Sequence, residues 1–167
     1  MKITIIGFGG AGKSTLARNI SERLNLPLMS LDRIWIETCG HFAKTDSEKN
    51  VSREKMADHV HKFIEQENWV SEGFYRALQP TIASRADIII LLEIPLYRRV
   101  YNHIKRVVLQ QNRHSELSFW EDLLHVFTLI KRNYTNRQVY ESFKGHFAEK
   151  IITLKSYSEV GGYLESL

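Results

Sequence analysis

The chain has 167 residues, 43% of them hydrophobic, which fits one domain over residues 1–167 with a sizeable buried core. No apolar run approaches the ~20 residues of a membrane span. The single cysteine, Cys39, rules out an internal disulfide and is expected to be a structural thiol in a reducing, cytoplasmic setting. The net charge of +4 suits either nucleic acid or a pocket for a polyanionic small molecule, and the basic residues after position 97 favour the small-anion reading.

In chain order, Ile3 to Ile6 is a short β-branched run that reads as a buried strand, entered at once from the N-terminus, so no signal peptide is expected. Gly7-Phe8-Gly9-Gly10-Ala11-Gly12-Lys13-Ser14 then matches G-x-x-x-x-G-K-[ST] at every fixed position. Leu16, Ile20 and Leu24 follow at helical spacing, so the glycine loop lies between a strand and a helix. That context separates a phosphate-binding P-loop from a glycine-rich turn with no ligand. Gly7, Gly9, Gly10 and Gly12 allow positive φ angles and a close backbone approach. The amides of residues 9 to 14, Ala11 included, are expected to turn inward at the positive end of the helix. ATP is the expected ligand, with Lys13 reaching the β- and γ-phosphates, the Ser14 hydroxyl on Mg²⁺ and Thr15 beside it on the phosphates.

Leu26 to Leu31 reads as a second strand, and Met56, Val60, Phe63 and Ile64 mark an amphipathic helix from about Ser52 to Gln66. Trp69-Val70-Ser71 is a third strand stopped by Gly73, and Ile88 to Leu92 is an apolar run suited to a strand covered on both faces. Pro95 opens a helix whose apolar stripe is read as Val100, Ile104, Val107 and Val108. Asn112 to Leu117 is polar and loop-like. Ser118 to Glu121 is a capping box, followed by Leu123, Leu124, Phe127 and Ile130 on one helix face. Ile151 to Leu154 is a fifth strand. The last helix is capped by Ser156 with Glu159 and turns Val160, Tyr163, Leu164 and Leu167 inward. Strands alternating with helices predict a parallel α/β sheet covered on both faces.

Asn68-Trp69-Val70-Ser71-Glu72-Gly73-Phe74-Tyr75-Arg76 resembles the adenylate-kinase-like pattern of an apolar strand ending in acidic-Gly-Phe-Pro-Arg. With Leu31-Asp32-Arg33-Ile34-Trp35 and the segment from Ala86-Asp87-Ile88 to Glu93-Ile94-Pro95, the chain is most similar to the DNA topology modulation (FlaR-related) proteins. The resemblance covers nearly the whole chain. It implies a P-loop NTPase three-layer sandwich: a five-stranded parallel sheet of order 2-3-1-4-5, helices on both faces and a small lid at about residues 106–120. Glu72 and Glu93 stand where that family usually has aspartate, and Tyr75 replaces the proline of true adenylate kinases, which counts against AMP as acceptor.

The reaction implied is transfer of the ATP γ-phosphoryl group to a small molecule or nucleotide. The alternative is an ATP-binding protein acting on DNA topology or as a regulator. A GTPase is disfavoured because no Asn-Lys-x-Asp sequence occurs. Phosphoryl transfer needs charge neutralisation and alignment more than covalent help. Glu72, at a strand end beside the P-loop strand, is the candidate for holding Mg²⁺ through water; the bland reading is a solvated strand-end carboxylate. Asp32 corresponds to an acidic residue that contacts the acceptor hydroxyl in related small-molecule kinases; otherwise it caps a helix over residues 33–36. Arg76 would clamp the acceptor or the moving phosphoryl group. Arg106 resembles the arginine at the start of an adenylate-kinase lid and would reach ATP. Arg113, Arg132 and Arg137 are further lid candidates or solvated charges. His59 and His61, two apart on a helix, do not make a metal pair. Trp69 and Trp120 read as core or pocket wall, whereas Trp35 is expected in the acceptor pocket.

Overall fold

A computed structural model describes residues 1–38, 43–110 and 137–167, with side chains for all of these except 106–110 and 137. Strands β1 (Lys2–Gly7), β2 (Leu28–Ser30), β3 (Trp69–Glu72), β4 (Ile88–Leu92) and β5 (Ile151–Leu154) form one sheet of order β2-β3-β1-β4-β5, and every pairing is parallel. The helices are α1 (Lys13–Leu24), α2 (Leu31–Glu37), α3 (Asp46–Ile64), α4 (Gln79–Arg85), α5 (Leu96–Gln110), α6 (Arg137–His146) and α7 (Tyr157–Glu165). This is the three-layer P-loop arrangement with the expected strand order.

The layers follow from side-chain alternation along β1 and its neighbours. Ile3, Ile5, Val70, Ile90 and Leu92 pack with Leu16 and Ile20 of α1, and Val160, Tyr163, Leu164 and Leu167 of the C-terminal segment close the same face. Ile6, Trp69, Ile89 and Leu91 pack on the opposite face with Met56 and Val60 of α3, Ile82 of α4 and Tyr140 and Phe143 of α6. The register sets Ile5 opposite Glu72 and Gly7 opposite Leu92. The end of β3 and the start of the glycine loop therefore share one sheet edge, where ligands bind in parallel α/β sheets.

Several boundaries differ from the sequence reading. The second strand is shorter than Leu26 to Leu31 because the Ser30 side chain caps α2, accepting from the Arg33 amide. Helix α3 begins at Asp46, earlier than Ser52, because Thr45 and Glu48 form a capping box ahead of a polar first turn that carries no apolar period. Helices α4 and α6 are additional. Helix α4 is a seven-residue helix with Pro80 in its first turn, where a missing N–H costs nothing.

The stripe expected on α5 is a correction. Val100 is only half-buried and Ile104 is 48% exposed, while Arg99 and His103 face inward at 3% and 6% exposure. The first turns of α5 lie against the polar backbone of the glycine loop, where an apolar face has nothing to match. An ideal Cβ on Gly10 would sit 2.7 Å from the Arg99 carbonyl oxygen. Cys39, the lid region beyond residue 110, Arg113, Trp120, Arg132, the Ser118 capping box and the helix face from Leu123 to Ile130 lie outside the described residues. The Val107 and Val108 side chains do too.

Candidate active site

Strand β1 ends at Gly7 with φ 148, and Gly10 and Gly12 adopt φ 77 and 92, so three of the four loop glycines use conformations that side chains disfavour. Gly9 does not, a correction to the expectation for all four. Gly12 is the left-handed cap of α1, which begins at Lys13 with its free amides at the loop. The Ala11 amide is used within the loop, donating to Phe8 O at 3.3 Å.

Lys13 Nζ donates to Phe8 O at 3.2 Å and lines a cleft of about 860 Å³ with Gly9, Gly10, Ala11, Gly12, Ser14, Thr15 and Asp32. Burial pushes the Lys13 ammonium below its ordinary pKa, and Arg99 adds to this, while Glu72 and Asp32 both favour the charged form. These two carboxylates therefore lie within electrostatic reach of the P-loop lysine. Glu72 is 2% exposed. Its Oε1 accepts from Ser30 Oγ at 2.5 Å, and its Oε2 is buried with no hydrogen-bond partner among the described residues.

Asp32 is exposed in the first turn of α2, whose cap is Ser30, so the alternative reading of Asp32 as a helix cap does not hold. Arg76 is exposed in the turn after β3. Trp35 packs against Tyr75 with ring centroids 5.9 Å apart, bringing α2 and the post-β3 segment together. Trp69 is fully buried core. Glu93 is paired with Lys144 of α6. His59 and His61 are exposed on α3, and no group of three or more metal-ligating residues occurs among the described residues. The Arg106 and Arg137 side chains lie outside the described residues.

The far wall of the cleft went unforeseen. Asn102, His103 and Lys105 of α5 face Tyr157, Val160 and Leu164 of α7. Asn102 Nδ2 donates to Gly10 O at 3.0 Å and also bonds the Tyr157 hydroxyl. Tyr140 of α6 donates from its hydroxyl to Gly7 O at 3.1 Å. An asparagine in a helix and two aromatic residues carry no motif. The signal available was that Arg99 and His103 are four apart, a polar stripe beside the apolar one.

No family model matches the chain. Proteins of Saccharolobus islandicus and Saccharolobus solfataricus described as "Putative adenylate kinase" are 27% identical to it over 107 residues, 63% of this chain and 54% of theirs. The chain thus spans about half the length of the curated relatives it matches. Among solved structures, shikimate kinase from Bacteroides thetaiotaomicron aligns over 99% of this chain and 95% of its own, with a TM-score of 0.57 and 20% identity. A protein of Thermus thermophilus aligns over 99% of this chain and 92% of its own, with a TM-score of 0.61 and 16% identity. Shikimate kinase from Acinetobacter baumannii, solved with shikimate, aligns over 83% of this chain and 79% of its own, with a TM-score of 0.51 and 18% identity. The structural likeness is one of fold. No helix among the described residues is long and apolar enough to cross a membrane.

Proposed function

We propose that the chain is an ATP-dependent phosphotransferase that moves the γ-phosphoryl group of ATP to a small-molecule or nucleotide acceptor. The observation that carries this reading is that Asp32 lines the same cleft as Lys13, which the loop itself holds, while Ser30 ties the helix bearing Asp32 to Glu72 at the end of the neighbouring strand. The relatives described as putative adenylate kinases support the same class of reaction.

In this reading the loop amides and Lys13 take the phosphate charge, and Arg106 contributes from the start of the lid. The orphaned Oε2 of Glu72 and the exposed Ser14 hydroxyl suit a divalent cation bound to the triphosphate, and Mg²⁺ held there would neutralise charge developing on the phosphates. Asp32 orients an acceptor hydroxyl and accepts its proton; for a phosphate acceptor it becomes a specificity contact. Arg76 clamps the acceptor, and Trp35 with Tyr75 forms an aromatic wall near it. The protein would act in the cytoplasm.

The test is incubation of γ-labelled ATP and Mg²⁺ with a panel of nucleoside monophosphates, nucleosides, sugars and shikimate, with duplex DNA as a separate arm. A labelled small-molecule product is expected. ATP turnover stimulated by DNA alone, without any phosphorylated product, would reject the reading in favour of a DNA-directed ATPase.

A further inference from the structure

Gly7 stands at the turn from β1 into the loop, and its backbone at φ 148 leaves no room for a side chain: an ideal Cβ would lie 2.7 Å from Leu92 O. Its carbonyl is met by a side chain, the Tyr140 hydroxyl at 3.1 Å, from a helix 133 residues away. Tyr140 is 6% exposed, so this carbonyl has little water to turn to if the hydroxyl is lost.

The Tyr140 ring lies 4.4 Å from Phe8 and is stacked 4.5 Å from Phe74. Phe8 is the second residue of the loop, and its carbonyl receives Lys13 Nζ. Phe74 follows Gly73 and lies two residues beyond Glu72. The Arg99 guanidinium sits 5.0 Å from the Phe8 ring and donates from Nε to Ile94 O at 2.9 Å. Lys144, one turn along α6 from Tyr140, is paired with Glu93 just after β4, which fixes the helix that carries the tyrosine.

We propose that Tyr140 is a positioning residue for triphosphate binding: its hydroxyl fixes the Gly7–Phe8 peptide, and its ring fixes Phe8, whose carbonyl holds Lys13. Tyr140 is not part of the cleft lining. It acts through Gly7 and Phe8 on the lysine. The inference rests on the reading of the P-loop as a triphosphate site.

The experiment compares wild type, Tyr140→Phe and Phe143→Leu by calorimetry with Mg·ATP, Mg·ADP and adenosine, and by melting without nucleotide. Phe143 is buried on the same helix and packs on Phe74, without a contact to Gly7. Tyr140→Phe keeps the ring stack, so a folded protein is expected. Its affinity for Mg·ATP and Mg·ADP is expected to fall about tenfold, the scale of one lost buried hydrogen bond, with adenosine binding unchanged. Phe143→Leu is expected to lower the melting temperature while keeping the nucleotide affinities. Wild-type affinity in Tyr140→Phe, or an equal loss in Phe143→Leu, would overturn the proposal alone. A wild-type chain that binds no Mg·ATP would overturn the P-loop reading and the proposal with it.

Discussion

Ser30 and Glu72 are tied by one short hydrogen bond, Oγ to Oε1 at 2.5 Å, and the same Ser30 oxygen accepts from the Arg33 amide to cap α2. One hydroxyl thus joins the helix that carries Asp32 to the buried carboxylate beside the P-loop. Ser30→Ala removes both contacts. It is expected to cost about 2 kcal/mol in urea unfolding, from a lost cap and an unpaired buried acceptor. Ser30→Thr keeps the hydroxyl and should recover most of that. A Ser30→Ala protein as stable as wild type would show that the bond contributes nothing.

Glu72→Gln keeps the shape and removes the charge. If Glu72 holds the cation through water, the Mg²⁺ concentration that half-saturates ATP binding should rise on the order of tenfold, the scale of an outer-shell ligand partner. Titration of Mg²⁺ at fixed ATP reads this directly. An unchanged Mg²⁺ requirement would assign Glu72 to packing and to Ser30 alone.

Two loop glycines should respond differently to alanine. Gly10, at φ 77, would place Cβ 2.7 Å from the Arg99 carbonyl oxygen, so Gly10→Ala meets both backbone strain and a clash with backbone that cannot swing away. Gly12, at φ 92, has Tyr157 Cε1 as its nearest neighbour at 3.6 Å, so Gly12→Ala meets strain alone. Strain of this kind costs about 1–2 kcal/mol per residue, and the Gly10 clash adds to it. Denaturant unfolding should rank Gly10→Ala as the less stable variant; the reverse order would contradict the described loop geometry.

Burial holds the Tyr140 hydroxyl well above the ordinary tyrosine pKa of 10.0. In the unfolded chain it ionises near that ordinary value, so above it the folded state binds the extra proton. The contribution is therefore intact below about pH 10 and is lost as pH rises further. Wild type should lose stability relative to Tyr140→Phe between about pH 10 and 11. Chemical unfolding at stepped pH measures the difference, and a constant gap would place the hydroxyl in contact with water.

The donor half of the site is legible in the sequence because it depends on backbone. Glycines at fixed spacing between a strand and a helix dictate where the chain turns, and the structure places Gly7 to Ser14 at that turn. The apolar run Ile88 to Leu92 is likewise a strand over its full predicted length, since burial on both faces leaves no other use for it. Helix α5 shows the limit. Over its first turns Ile104 of the expected stripe faces out while Arg99 and His103 face in, because the surface met there is the P-loop backbone. Tyr140 and Asn102 were illegible for a related reason. Each meets a loop carbonyl across 133 and 92 residues of chain, and no local pattern encodes such a pairing.

The central claim is that Lys13 and its loop form the triphosphate donor site. Calorimetry of Mg·ATP binding to wild type and to Lys13→Ala, with melting curves to verify folding, tests it most directly. Saturable binding in wild type and none in folded Lys13→Ala is the predicted result. Equal affinity in the two proteins would contradict the assignment.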